Sequence, residues 1–359
     1  MKFGRVPVAL RRKPTLGNRN RGKTNLPLST VTMNHTLLSR RHFLKTLAAV
    51  FLVPHLQEPS GPNDWDQETD LARSIRLFLE NTFSGLEIAL DFRRINAQNN
   101  QEFRITIQAN KLYPVASCFK AWIALYYYLH TPRDQWNDTQ GTPLYSTIVY
   151  SNNTEAGTML VEIAERVTGT ANPIEKFNNF LMRTVGMNNG MHSWDWPGSP
   201  TVGFTDERFA PNSNRSMLYK GEFYLVDNLF TVADLAHGYD VLQRGQSFAR
   251  WDTMHDAILA TVSLLSIPAT DYQSPLEYVF PNGYMGKDGI LPETDLPSGL
   301  GRVIDDAGVV TVGDAHYIIA YMSMGESESL VRDVLGDIAK MIEVYERGRP
   351  LLPTPAYNG

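Results

Sequence analysis

Stretches that alternate apolar and polar residues stand at both ends of the region 86–324, and stretches with helical spacing fill its middle; no other feature limits the fold as much. LEIALDFR (86–93) and EFRITIQA (102–109) read as strands on either side of the polar turn INAQNNQ. Far along the chain, NGYMGKDGI (282–290) follows a turn at Asn282-Gly283, and GRVIDDAGVV (301–310) with AHYIIAYMSM (315–324) reads as a hairpin across TVGD. Apolar residues at 71, 75, 78, 79 and 83 make one helical face before the first strand, and 326–346 makes an amphipathic helix after the last. Between them 118–130, 154–168, 173–185, 231–243 and 251–264 have helical apolar faces, and 186–228, rich in Gly, Pro, Asn and Trp, reads as a long structured surface loop. Two strands near the start and three at the end predict an α/β (α+β) fold: a five-stranded antiparallel sheet flanked by N- and C-terminal helices, plus a mostly helical subdomain. Hydrophobic content of 43% in 359 residues is ample for its core.

Charge divides this chain at residue 58. No acidic residue precedes Glu58, and residues 1–57 hold eleven Lys or Arg, leaving the remainder with 22 basic against 38 acidic side chains, a formal charge of −16. Such a body repels nucleic acid and anionic membrane surfaces, so neither is an expected partner. The leader contains SRRHFLK (39–45) followed by TLAAVFLVPHL, an apolar run too short to span a bilayer comfortably and broken by Pro54. The pair Arg40-Arg41 with Phe43, Leu44 and Lys45 resembles the address read by the twin-arginine export machinery. It implies an exported protein, periplasmic or extracytoplasmic, that meets the membrane only through this segment. Met33 offers a start that shortens the arm before the arginines, and with no clear A-x-A site following, a cleaved and a retained signal both stay open. EPSGPNDW (58–65) ends the leader as a Pro/Gly-rich linker. The expected organisation is a leader, 1–57, and one domain, 58–359, with a sheet part at about 66–116 and 270–346 and a helical part at about 117–269. The single cysteine, Cys118, excludes an intramolecular disulfide framework and any multi-cysteine zinc site.

Three short motifs carry possible chemistry. In PVASCFKAWIALYYYLH (114–130), Ser117 and Lys120 stand three residues apart where a turn becomes an apolar helix. A serine there either caps the helix or acts as a nucleophile beside free backbone N–H groups, with a desolvated lysine as its base. Ser151 and Asn153 precede a helix in VYSNNTEAGTML, where such residues are ordinary caps. Lys287 and Gly289 lie on a strand in YMGKDGI, the lysine reading as an edge residue and the glycine as a point of close backbone approach.

Taken together, S-x-x-K opening an apolar helix, S-x-N some thirty residues later and K-x-G on a late strand resemble the serine β-lactamases and penicillin-binding peptidases, most nearly class A β-lactamases. TVADL (231–235), similar to the family's T-x-x-D-L helix start, adds to the likeness, which covers about 66–346. The resemblance implies that 58–359 is one catalytic domain without metal or cofactor, in which Ser117 is acylated and Lys120 is its base or proton relay. Ser151 would pass a proton to the leaving nitrogen, Asn153 would bind the substrate's amide side chain, and Lys287 would hold Ser151 and the substrate anion. The oxyanion hole would be the N–H groups of Ser117 and Ile290, with Gly289 between the lysine and that second group. The implied substrates are a β-lactam or a peptidoglycan-type peptide.

The sequence departs from that pattern twice. The family's E-x-x-L-N loop, whose glutamate activates the deacylating water, is missing from 186–228; Asp195 in MHSWDWPG and Glu207 in TDERF are the candidate replacements. Asp288 stands where the family has a Thr or Ser that binds the substrate carboxylate, and an ionised aspartate about 4 Å from that anion opposes it by several kcal/mol before screening. Arg302 is a candidate partner for it. Aromatic residues such as Trp194, Trp196 and Tyr284 read as loop or core packing before pocket lining. Three readings follow: a class A-like β-lactamase, a cell-wall D,D-peptidase sharing its acylation step, and a non-catalytic peptide-binding member of the fold.

Overall fold

The computed structural model describes residues 70–82, 86–95, 102–168, 172–194, 202–203, 216–247, 253–268 and 273–347. The leader with Arg40 and Arg41, the linker 58–65, Asp195, Trp196 and Glu207 lie outside the described residues. The described residues all belong to one compact unit, Trp65–Gly359.

Its frame is the predicted antiparallel sheet. The strands are β1 (Ile88–Ile95), β2 (Phe103–Ile107), β3 (Tyr284–Leu291), β4 (Val303–Val312) and β5 (Ala315–Met324), in the order β2-β1-β5-β4-β3. The β4-β5 hairpin runs two residues further into TVGD than the alternation suggested, pairing Thr311 with His316 and Val312 with Ala315. Strands β4 and β5 are central, so nearly every residue in them is buried and the period-two signal weakens.

The described α-helices of eight residues or more are α1 (Asp70–Thr82), α2 (Lys120–His130), α3 (Asn153–Arg166), α4 (Pro173–Phe180), α5 (Val232–Gly245), α6 (Thr253–Leu265) and α7 (Glu328–Glu346). One face of the sheet packs Leu90, Phe92, Ile304 and Ile319 against Leu71 and Ile75 of α1 and Leu335 and Ile338 of α7. The other face packs Ala89, Ala307, Val309 and Ala320 against the helical layer, where Trp122, Tyr126, Phe177 and Tyr239 form an aromatic centre. Helix α2 is apolar all round because it is buried all round, from Lys120 to Tyr128. Among the described residues no helix is long and apolar enough to cross a membrane.

Caps set the helix starts that matter for the site. Thr231 and Asp234 form a capping box at α5: the Thr231 hydroxyl accepts from Asp234 N at 3.1 Å, and Asp234 Oδ2 accepts from Thr231 N at 3.2 Å. Asp234 also accepts from Asn188 N at 2.7 Å and Asn189 Nδ2 at 2.5 Å, fixing the start of the 186–194 segment to that helix. Asn178 holds the same segment through Met191 N and O at 2.8 and 2.6 Å, and Asn228 Oδ1 accepts from His192 N and Ser193 N at 2.7 and 3.1 Å. These bonds deliver Trp194 to its place.

Candidate active site

Ser117 opens a single 3-10 turn, Ser117–Phe119, that runs straight into α2, so Lys120 is the first residue of the α-helix one turn away. Ala116 takes the capping position of that turn and no side-chain cap is made there, so the hydroxyl of Ser117 is not spent on the helix. The turn is fixed from the sheet. Ala116 N donates to Asp305 Oδ2 at 2.7 Å, and Cys118 Sγ donates to the carbonyl of Lys287 at 2.9 Å.

Strand β3 is the open edge of the sheet, and its register decides which backbone groups face the turn. Thr311 N donates to Gly283 O at 2.9 Å, and the pairing continues without a bulge to Leu291 opposite Val303. By the alternation of an antiparallel ladder, the odd-numbered residues bond to β4, and the N–H groups of Asp288 and Ile290 face outward from the edge. Gly289 lies against Ser117: a Cβ placed on it would stand 2.1 Å from Ser117 N and 2.5 Å from the Ala116 Cβ. The Ser117 nitrogen and the outward-facing Ile290 N–H therefore lie on neighbouring backbones at the same edge.

Lys120 is fully buried, and its Nζ sits among oxygens at the entry to α3: 2.6 Å from Ser151 O, 3.3 Å from Ser151 Oγ and in contact with Asn153 Oδ1. Burial first, and then the charge of Lys287, push its pKa down to about 6 against a smaller opposing pull from Asp288. At this pKa the amine is mostly uncharged at neutral pH and has a lone pair for a proton. The cap of α3 explains why Ser151 and Asn153 are free for this contact. Asn152 is the capping residue, its side chain accepting from Glu155 N at 3.1 Å, so the ordinary reading of the other two as caps does not hold. Ser151 has φ +54, a left-handed conformation that costs a β-carbon residue of order 1–3 kcal/mol and turns its side chain toward Lys120.

Trp194 completes this side. Its Nε1 donates to Asn153 O at 3.2 Å, and its ring centroid stands 5.8 Å from Lys120 Nζ. Loop position alone favoured packing for this residue, and its packing partner turns out to be the site. Tyr284 instead donates to buried Asp306 Oδ1 at 2.8 Å, behind the strand.

Lys287 is mostly buried, and its ammonium is 2.8 Å from Asp288 Oδ1 and 3.1 Å from Asp288 O. Even-numbered residues of β4 pack toward α1 and α7 and odd-numbered ones toward the helical layer, so Asp288 and Lys287 leave opposite faces of β3 and meet at its open edge. The ion partner of Asp288 is thus its own neighbour, where sequence had suggested Arg302, and Lys287 is directed to Asp288 where the resemblance had implied Ser151.

Asp305 and Asp306, both fully buried, sit opposite Gly289 and Asp288 on β4. Burial pushes Asp305 well up, opposed by the hydrogen bond from Ala116; burial and then Asp288 push Asp306 up to about 7. These two positioning residues escaped the sequence reading, although two consecutive acids inside a buried strand, VIDDAGVV, were a visible signal. In the segment 186–228 the described carboxylates are Glu222, which accepts from Tyr224 OH at 3.0 Å, and Asp227, which accepts from Ser193 Oγ at 3.1 Å. Among the described residues no group of three His, Cys, Asp or Glu is placed to hold a metal ion.

The fold is that of the β-lactamases. The TLA-3 extended-spectrum β-lactamase matches with a TM-score of 0.51 and 15% identity, over 77% of this chain and 98% of that one. A β-lactamase from Chitinophaga pinensis matches with a TM-score of 0.50 and 13% identity, over 77% of this chain and 100% of that one. No protein-family model matches the sequence. No curated protein matches it either.

Proposed function

We propose that this chain is a serine acyl hydrolase of the β-lactamase type, acylated on Ser117 by a β-lactam or related amide. The observation that carries the reading is the buried, uncharged Lys120 amine, one turn from Ser117 and held by Ser151 and Asn153. In the proposed reaction Lys120 takes the proton of Ser117 as Oγ attacks the carbonyl carbon. The N–H groups of Ser117 and Ile290 receive the developing oxyanion. Ser151, 3.3 Å from Lys120 Nζ, passes that proton to the leaving nitrogen, and the C–N bond breaks to leave the acyl-enzyme. Asn153 is assigned to the substrate's amide side chain as well as to the lysine. Water then hydrolyses the ester, with Asp195 or Glu207 assigned as the base that activates it.

A second reading, a cell-wall D,D-peptidase that forms a long-lived penicilloyl-enzyme, draws on the lack of any carboxylate in 187–194, where the loop is tied down beside the site. Arg40-Arg41 in the leader supports export by the twin-arginine pathway for either enzyme. The full-length protein and Ser117→Ala, incubated with a chromogenic cephalosporin and a fluorescent penicillin, distinguish the readings by turnover and intact mass. Turnover that requires Ser117 supports the β-lactamase, a stable Ser117 adduct with little turnover supports the peptidase, and failure of these donors, D-Ala-D-Ala peptides and simple esters alike overturns both.

A further inference from the structure

The charge on the site is arranged against an anionic substrate. Lys287 is the cation at the edge of β3, and its ammonium is already paired at 2.8 Å with Asp288. A paired ammonium presents a dipole and no net charge, and separating a largely buried pair leaves an uncompensated charge behind. Among the described residues the charged side chains that act on Lys120 are Lys287 and Asp288, and burial lowers the pKa of Lys120 itself to about 6. Behind the edge, Asp305 and Asp306 stand opposite Gly289 and Asp288. A carboxylate brought to this edge must compete with Asp288 for Lys287; a cation must compete with Lys287 for Asp288; an uncharged group meets neither cost.

We propose that the site takes uncharged acyl donors, esters or amides without a carboxylate beside the scissile carbonyl, and that Asp288, by occupying Lys287, is the residue that sets this preference. The proposal rests on the acyl-Ser117 reading and adds the substrate class to it. A chromogenic cephalosporin and its methyl ester share the reactive ring and differ in the carboxylate. Acylation rates of the full-length protein, followed by intact mass and each divided by the probe's own hydroxide-catalysed rate, give a ratio that reports the preference. The wild type favours the ester at least tenfold, and both Asp288→Thr and the isosteric Asp288→Asn, which release Lys287, move the ratio at least tenfold toward the acid. Acylation with a preference for the acid, or a ratio unmoved in both variants, overturns the proposal and leaves the acyl-enzyme reading standing. Absence of both adduct and turnover with both probes in all three proteins overturns the acyl-enzyme reading and this proposal with it.

Discussion

Gly289 and Ser117 meet backbone to backbone: the space where a Cβ of residue 289 would stand is 2.1 Å from the Ser117 nitrogen. The contact holds the edge of the sheet against the turn that presents the serine. Gly289→Ala cannot be absorbed by a flexible side chain, because the atoms it meets are backbone and the Ala116 Cβ. We expect a stability loss of about 1–3 kcal/mol, typical of overpacking, and a fall in acylation rate of roughly a hundredfold as the two N–H groups separate. Thermal unfolding and burst kinetics on the same sample measure the two effects.

The depressed pKa of Lys120 predicts the pH profile of acylation. The base exists only in the unprotonated form, so the rate rises through about pH 6 and levels off above it. Lys287→Met removes the positive neighbour that lowers this pKa and leaves Asp288, which raises it, so the midpoint moves to higher pH even as the maximal rate falls. An unmoved midpoint assigns the limb to another group.

Asp306 predicts a pH-dependent stability of opposite sign. Its folded pKa of about 7 exceeds the unfolded 3.8, so the fold holds the proton between those values and loses stability as pH rises through that window. Asp306→Asn has no such proton. It loses part of the bonding to Leu276 N and Tyr284 OH at every pH, about 1–3 kcal/mol, but gains on the wild type by a few kcal/mol from pH 4 to 7. Lys120 drives stability upward with pH above about 6 in both proteins, so the difference between their denaturation curves is the quantity to read.

Trp194→Phe keeps an aromatic ring over Lys120 and removes the N–H that bonds Asn153 O. One such bond is worth about 1 kcal/mol of fold stability, so the melting temperature falls by about 2–4 °C, and acylation slows severalfold as Asn153 loses its anchor beside Lys120. Trp194→Ala, which also uncovers the amine to water, slows it further and moves the acid limb toward higher pH, because desolvation is the main cause of the depressed pKa.

Much of the frame was legible locally. Apolar spacing found α1 and α7, alternation found all five strands of the sheet within a few residues, and the order of the S-x-x-K, S-x-N and K-x-G motifs placed Ser117, Lys120, Ser151, Asn153 and Lys287 on a turn, a loop and a strand. The extra pairing at Thr311 and Val312 was missed because turn residues can carry a ladder when the hairpin tightens around Gly313. The cap of α3 was also misplaced, since Ser151, Asn152 and Asn153 are all good capping residues and only the backbone chooses among them.

What sequence determined by itself is what depends on near neighbours: periodicity, caps and breaks in the chain, and the kinds of side chain available for acyl transfer. What only the tertiary structure decided is the state of those side chains. Lys120 has a depressed pKa because α2 buries it beneath the loop before α3. Lys287 becomes half of an ion pair because β3 is an edge where opposite faces meet. Asp305 and Asp306 act on the turn and on Asp288 only because β4, some 190 residues from Ser117 in the chain, lies directly behind it. Solvation and charge–charge energies depend on distances through space, which local spacing along the chain does not specify.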